Sequence, residues 1–253
     1  MTNKLKYFIG NWKMFGDLSS FQIIYKIHAF YKKFKFKGHK SKIVLCVPST
    51  LIYFFNKKLK SKFIDIGGQN CHYEKDYGPY TGALSAGMLK HAGAKYVILG
   101  HSENRSTGDT NTIIKKKIGA SLSKNLKVIF CIGETISEKN KGKKFSVLKK
   151  QINNSINKNF DLKKIIIAYE PVWAIGSSKI PKYKDLKKTF IFIKQHFKKR
   201  FRTKKTPIVL YGGSVNHKNI TMFSSISEID GFLIGGASQS PKKFIDIIKN
   251  YYK

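Results

Sequence analysis

Strand-like and helix-like segments alternate along this chain with a period of roughly 30 residues, and that alternation restricts the possible folds more than any other feature. The β-rich runs are Tyr7-Phe8-Ile9, Ile43 to Val47, Phe63 to Ile66, Tyr96 to Leu99, Lys127 to Cys131, Ile165-Ile166-Ile167, Ile208-Val209-Leu210 and Gly231 to Ile234. Between them lie segments with apolar residues at helical spacing. One runs from about Ser19 to Phe34, with Phe21, Ile24, Tyr25, Ile27 and Phe30 forming its stripe; others cover about 145–156, 183–201 and 241–251. Pro48 stops the second strand, and Ser49 or Thr50 is placed to cap the helix that follows. Strands separated by helical crossovers pair in parallel, so the expectation is an α/β fold, a closed (β/α)8 barrel with eight parallel strands ringed by helices.

Size and composition agree with that fold and exclude others. A chain of 253 residues buries roughly three-quarters of its unfolded surface, and no Gly/Ser- or Pro-rich linker divides it. We expect one barrel domain over residues 1–253. The start, Met1 to Lys6, has no apolar h-region, and no stretch approaches the ~18 apolar residues of a membrane span. A cytosolic protein with no membrane partner is therefore expected. Cys46, Cys71 and Cys131 are odd in number and lack CxxC spacing, which supports neither a disulfide framework nor a zinc site. Cys46 and Cys131 sit in strand-like runs as small buried hydrophobes. The net charge of +35 raises the question of nucleic acid. The lysines, however, are spread along the whole sequence, no single face claims them, and arginine occurs only at 105, 200 and 202. No specific nucleic-acid partner is expected, only non-specific polyanion binding at low salt.

Chemistry in such a barrel sits where strands end. The first strand ends in Gly10-Asn11-Trp12-Lys13, with an amide and an ammonium two residues apart. The fourth ends in Gly100-His101-Ser102-Glu103. The sixth ends in Glu170-Pro171, because proline cannot donate to a central ladder, and is followed by Val172-Trp173-Ala174-Ile175-Gly176, too apolar for a solvated linker. The seventh and eighth end in Tyr211-Gly212-Gly213-Ser214 and Gly235-Gly236-Ala237-Ser238, where glycines let backbone N–H groups approach an anion. A lone histidine or a Gly-Gly turn is more often structural. Gathered on one rim, these groups supply a base, an imidazole donor, a cation and a phosphate cradle. That inventory suits proton abstraction next to a carbonyl in a small phosphorylated substrate.

These segments, with Gly68-Gln69-Asn70-Cys71, Tyr80-Thr81-Gly82 and Cys131-Ile132-Gly133-Glu134, occur in an order that closely resembles the triosephosphate isomerase family over the whole chain. The resemblance implies interconversion of dihydroxyacetone phosphate and D-glyceraldehyde 3-phosphate, in glycolysis and gluconeogenesis, by a cytosolic homodimer without metal or organic cofactor. It implies that Glu170 is the base, His101 the electrophile, Lys13 the charge that stabilises the enediolate, Asn11 a positioning group and Glu103 a support for His101. It assigns the phosphate to Gly176, Gly235 and Gly236 with help from Ser214, and a lid to the sixth loop. The competing reading is a basic polyanion-binding protein on an inactive barrel scaffold.

The chain departs from the family pattern in two places. After Gly176 the family usually has Thr-Gly-Lys, a variable residue and Ala; here the run is Ser177-Ser178-Lys179-Ile180-Pro181. The family's N–H at the place of Pro181 donates to the tyrosine matching Tyr211 when the lid closes, and proline has none. Ala83 stands where Glu is common and Asn104 where Arg is common. Loss of both partners strands no charge, so the expected dimer is retained with an altered polar contact.

Overall fold

The computed structural model describes residues 4–33, 40–177 and 179–253. Among them β1 (Lys6–Asn11), β2 (Ser41–Cys46), β3 (Ile64–Gly68), β4 (Tyr96–Leu99), β5 (Lys127–Ile132), β6 (Ile165–Tyr169), β7 (Ile208–Tyr211) and β8 (Gly231–Ile234) form a closed barrel in sequence order. Every pairing is parallel, and β8 closes on β1 with Tyr7 opposite Gly231. The principal crossover helices are α1 (Phe21–Lys33), α2 (Ser49–Leu59), α3 (Ala86–His91), α5 (Asn111–Ser123), α7 (Lys144–Ser155), α8 (Tyr183–Phe201) and α9 (Ile220–Ser224), and α10 (Pro241–Tyr251) closes the chain. Two short helices, α4 (Ser102–Ser106) and α6 (Ile136–Asn140), follow the ends of β4 and β5.

The period-2 alternation of each strand divides the core in two. Tyr7, Ile9, Val44, Tyr96, Ile98, Ile129, Ile166, Ala168, Leu210 and Leu233 fill the barrel interior together with the thiols of Cys46 and Cys131. Phe8, Ile43, Leu45, Val97, Phe130, Ile167, Val209 and Phe232 face outward and pack under the helices. Both strand cysteines are buried and free, and burial pushes their thiols far above the usual pKa.

Local expectations fail at three points, the first being Phe63, expected to begin the third strand, which lies just before β3 and is exposed. Neither Ser49 nor Thr50 caps α2: Ser49 is its first helical residue, and Pro48 holds the N-cap position without a side-chain hydrogen bond. With φ of −49° and no N–H of its own to satisfy, Pro48 passes directly from strand to helix. In α1, Phe21, Ile24 and Ile27 are buried, but Tyr25 lies outside the stripe at 55% exposure. The expected end of that helix, Phe34, lies outside the described residues.

Interior alternation also decides what reaches the far rim. Continuing the inward set 7-9 gives Asn11, 129-131 gives Gly133, 166-168 gives Glu170, 210 gives Gly212 and 233 gives Gly235. At Gly133 a methyl group would lie 1.7 Å from the Glu170 carbonyl oxygen, and at Gly212 it would lie 2.6 Å from the Glu170 side chain. The Gly133 contact is with backbone, so no rotamer change relieves it. We expect Gly133→Ala to destabilise the barrel by about 3 kcal/mol, the upper range for overpacking. An unchanged denaturant midpoint would show that β5 and β6 part there without cost.

Candidate active site

A cavity of about 510 Å³ opens at the C-terminal ends of the strands, lined by Asn11, Lys13, His101, Glu170, Gly176, Ser214, Gly235 and Gly236. These are the residues expected from the sequence, with one exception. Glu103 lies just outside, on an adjoining groove that shares Asn11, Lys13 and His101 with the cavity. It reaches the site through an ion pair with the Lys13 ammonium and stands 3.6 Å from His101 Nδ1.

Glu170 follows the last residue of β6 and is 3% exposed. Its Oε1 lies 3.5 Å from His101 Nε2, while Oε2 is buried with no hydrogen-bond partner among the described residues. Burial raises its pKa above the ordinary carboxylate value; His101, the Cys131 thiol and Lys13 oppose the shift without cancelling it. His101 sits at the N-cap of α4, and its Nδ1 accepts the backbone N–H of Glu103 at 3.2 Å. A neutral ring with that acceptor carries its proton on Nε2, the atom that faces Glu170.

Lys13 adopts φ of +57°, a left-handed conformation in a residue with a full side chain. The side chain of Asn11 accepts the Lys13 backbone N–H at 3.1 Å. Strain of this kind costs on the order of 1–3 kcal/mol and persists where surroundings over-determine it. Across the cavity, Gly235 and Gly236 open the 3-10 turn Gly236–Gln239. A methyl group at Gly236 or Gly176 would meet nothing within 4 Å, so both backbones face open space. Ser214 donates its hydroxyl to the Ala174 carbonyl at 2.8 Å.

Glu134 is the functional residue that strand-end reading passed over. It is fully buried and accepts Tyr169 Oη at 3.1 and 3.2 Å and Trp173 Nε1 at 2.9 Å, which pins the first turn of the sixth loop. Lys139 covers the other side of this indole, 3.4 Å from its ring centre. The Gly133-Glu134 motif was the available signal. Gly212, Lys218 and Lys243 also line the cavity and were not singled out as site residues.

A model of the triosephosphate isomerase family matches residues 6–251. The chain belongs to the triosephosphate isomerase family. A triosephosphate isomerase of Dictyoglomus thermophilum is 40% identical over 97% of this chain and 99% of its own. One from Bartonella henselae is 38% identical over 100% of both chains. The crystal structure of triosephosphate isomerase from Bartonella henselae superposes with a TM-score of 0.88 at 36% identity, covering 98% of this chain and 99% of that one.

A folded-state pKa raised above the unfolded one means that the carboxyl is tolerated when protonated and costs stability when ionised. The penalty is absent below about pH 4.5 and grows as pH rises through the raised value. Glu170→Gln is therefore expected to raise Tm at pH 8, with the gain shrinking as pH falls towards 5. A pH-independent difference, or a lower Tm at pH 8, would contradict the burial penalty.

Proposed function

We propose that this cavity carries out the family reaction, interconversion of dihydroxyacetone phosphate and D-glyceraldehyde 3-phosphate, through the residues gathered on its rim. The observation that carries the assignment is the buried, unpartnered Oε2 of Glu170 beside the His101 Nε2 proton. Glu170 takes a proton from the carbon next to the carbonyl, and the electron pair moves onto the carbonyl oxygen. His101 donates its Nε2 proton to that oxygen and recovers one from the neighbouring hydroxyl, while the protonated Glu170 returns its proton to the other carbon. A base and a neutral imidazole are the pairing for which this family is the standard illustration. Lys13 offsets the negative charge of the enediolate, and Asn11 holds the Lys13 backbone. Glu103 positions both: its carboxylate pairs with Lys13 and its N–H holds the His101 tautomer.

Backbone N–H groups at Gly176, Gly235 and Gly236 are suited to the phosphate. Ser214 joins them once its proton is released from Ala174, which links phosphate arrival to movement of the sixth loop. No step requires a metal or organic cofactor. The polyanion-binding scaffold is not favoured, since the base, the imidazole and the ammonium all line one cavity.

The same proposal takes residues 1–253 as one barrel domain, consistent with the ring closed by β8 on β1, and places the enzyme in the cytosol as a homodimer. Among the described residues no helix is long and apolar enough to cross a membrane. Support for the dimer comes from the second groove, lined by Ala83, Leu84 and Asn104 beside the fully exposed Met14. Ala83 and Asn104 thus meet on one surface, as joint loss of a charged pair requires.

The lid departure also has a structural counterpart. Tyr211 Oη is buried with no partner among the described residues, and burial holds its pKa well above the usual phenol range. Pro181 is buried and has no N–H to offer it, and Ser178 lies outside the described residues. The closed lid is weaker by about the net value of one hydrogen bond, ~1 kcal/mol, except where proline's stiffness lowers the entropy cost of closing.

Three outcomes follow. In a coupled assay on glyceraldehyde 3-phosphate, Glu170→Ala should lose about 10²- to 10⁴-fold in kcat with its circular dichroism unchanged; an unaltered kcat would remove Glu170 from the mechanism. Pro181→Ala should raise kcat or reduce loss of phosphate from the intermediate, and no effect on either would dispose of the lid account. Sedimentation at micromolar concentration should show a dimer, and monomer alone would contradict the interface.

A further inference from the structure

All eight strands run in one direction, so every strand begins at the same end of the barrel, and each crossover helix brings the chain back to that end. Lysine recurs at both kinds of junction. β1 to β6 are each approached through an exposed lysine, in turn Lys4, Lys40, Lys62, Lys95, Lys127 and Lys163, and β7 through Lys204-Lys205. The returning helices also finish in cations, such as Lys57-Lys58 on α2 and Lys198-Lys199-Arg200 on α8. The negative end of a helix dipole accounts for a cation at any one helix end. It does not account for the strand starts.

Carboxylates at this end are few: three aspartates are held in ion pairs, and the Glu228 carboxylate, before β8, accepts only the Ser227 hydroxyl among the described residues. Asp65 pairs with Lys42 and Lys95, Asp230 with Lys4 and Lys194, and Asp161 with Lys164. Lys40, Lys62, Lys127, Lys163 and Lys205 have no ion-pair partner among the described residues. Against the expectation that no single face claims the lysines, the topology gathers this subset of them into a ring on the face opposite the cavity. A duplex carries one phosphate charge per roughly 3.4 Å of its axis on each strand, so a face that gathers several unpaired ammonium groups can meet several phosphates at once.

We infer that the N-terminal face of the barrel is a docking surface for the phosphate backbone of nucleic acid, bound without sequence preference. Lysine suits phosphate as a point charge, whereas base reading favours the arginine fork; at this end arginine is confined to Arg200 and Arg202, where α8 ends, and the residues before β1 to β6 carry lysine and no arginine. A lipid surface fits less well, because interfacial binding calls for apolar anchors. Only Leu5 and Phe63, of the exposed large apolar residues described, lie at strand starts. The surface is independent of the isomerase reaction, so either can fail alone.

The test uses the full chain and a fluorescently labelled duplex of arbitrary sequence, titrated between about 50 and 200 mM salt, where counterion release is measurable. One variant reverses charge on the ring, Lys40→Glu, Lys62→Glu, Lys127→Glu, Lys163→Glu and Lys205→Glu. A second, of equal net charge, reverses five exposed helix lysines instead, Lys115→Glu, Lys149→Glu, Lys150→Glu, Lys187→Glu and Lys188→Glu. The ring variant should bind at least about tenfold more weakly than the helix variant, with a log–log salt slope shallower than the parent's by about 4, while both retain isomerase activity. Lys→Gln at the five ring positions serves if the Glu version fails to fold. Equal weakening by both sets would mean diffuse charge attraction and would overturn the docking surface. Tighter ring-dependent binding to phosphatidylserine vesicles than to the duplex would overturn nucleic acid as its occupant.

Discussion

The structure turns on the seating of one carboxylate. Glu170 follows a strand buried between two neighbours, and there is room for it because both neighbours present glycine: Gly133 against its backbone and Gly212 against its side chain. Gly133 is itself clamped, its N–H donating to Gln151 Oε1 at 2.9 Å and its carbonyl accepting Gln151 Nε2 at 3.0 Å. The carboxylate is thereby held out of water with one oxygen unpaired among the described residues, an arrangement that costs stability and raises its basicity together. Opposite it, the Glu103 backbone N–H donates to His101 Nδ1, which leaves Nε2 to carry the proton of a neutral ring. Both effects follow from backbone position, so the site is preorganised by the barrel itself.

Around that seat the first turn of the sixth loop is firmly anchored. Glu134 holds Tyr169 and Trp173 together, and Val172 donates its N–H to the Glu134 carbonyl at 3.1 Å. The loop therefore has a fixed stem at Val172–Ala174 and reaches the cavity through Ile175 and Gly176, where φ of +66° lets the chain turn. Buried carboxylates occur at both ends of the barrel, Glu134 and Glu170 beside the cavity and Asp65 and Asp230 among the lysines at the strand starts.

Much of this was legible in the sequence because both signals are local. Strand alternation fixes which residues point inward, and the residue after each inward set is read directly: Asn11, Glu170 and Gly235 need no coordinates. The strand limits at β4 and β8, and the limits of α8 and α10, fall where apolar periodicity and turn residues place them. The seat of Glu170 was not legible, because Gly133 and Gly212 meet it from strands some 37 to 42 positions away in sequence. The lysine ring was hidden for the same reason: its members are tens of residues apart and become neighbours only when parallel strands share an end. Pro48 misled in another way, since a strand-breaking residue also served as the helix N-cap and left Ser49 inside the helix.

The central claim is that the barrel holds Glu170 as a desolvated base. Isotope-edited infrared titration of the ligand-free protein, with Glu170→Gln subtracted, reads that carboxyl directly and is free of substrate phosphate ionisation. The account expects its protonated band to persist above the ordinary value of 4.5. A Glu170 carboxyl that is fully ionised at or below that value would contradict it.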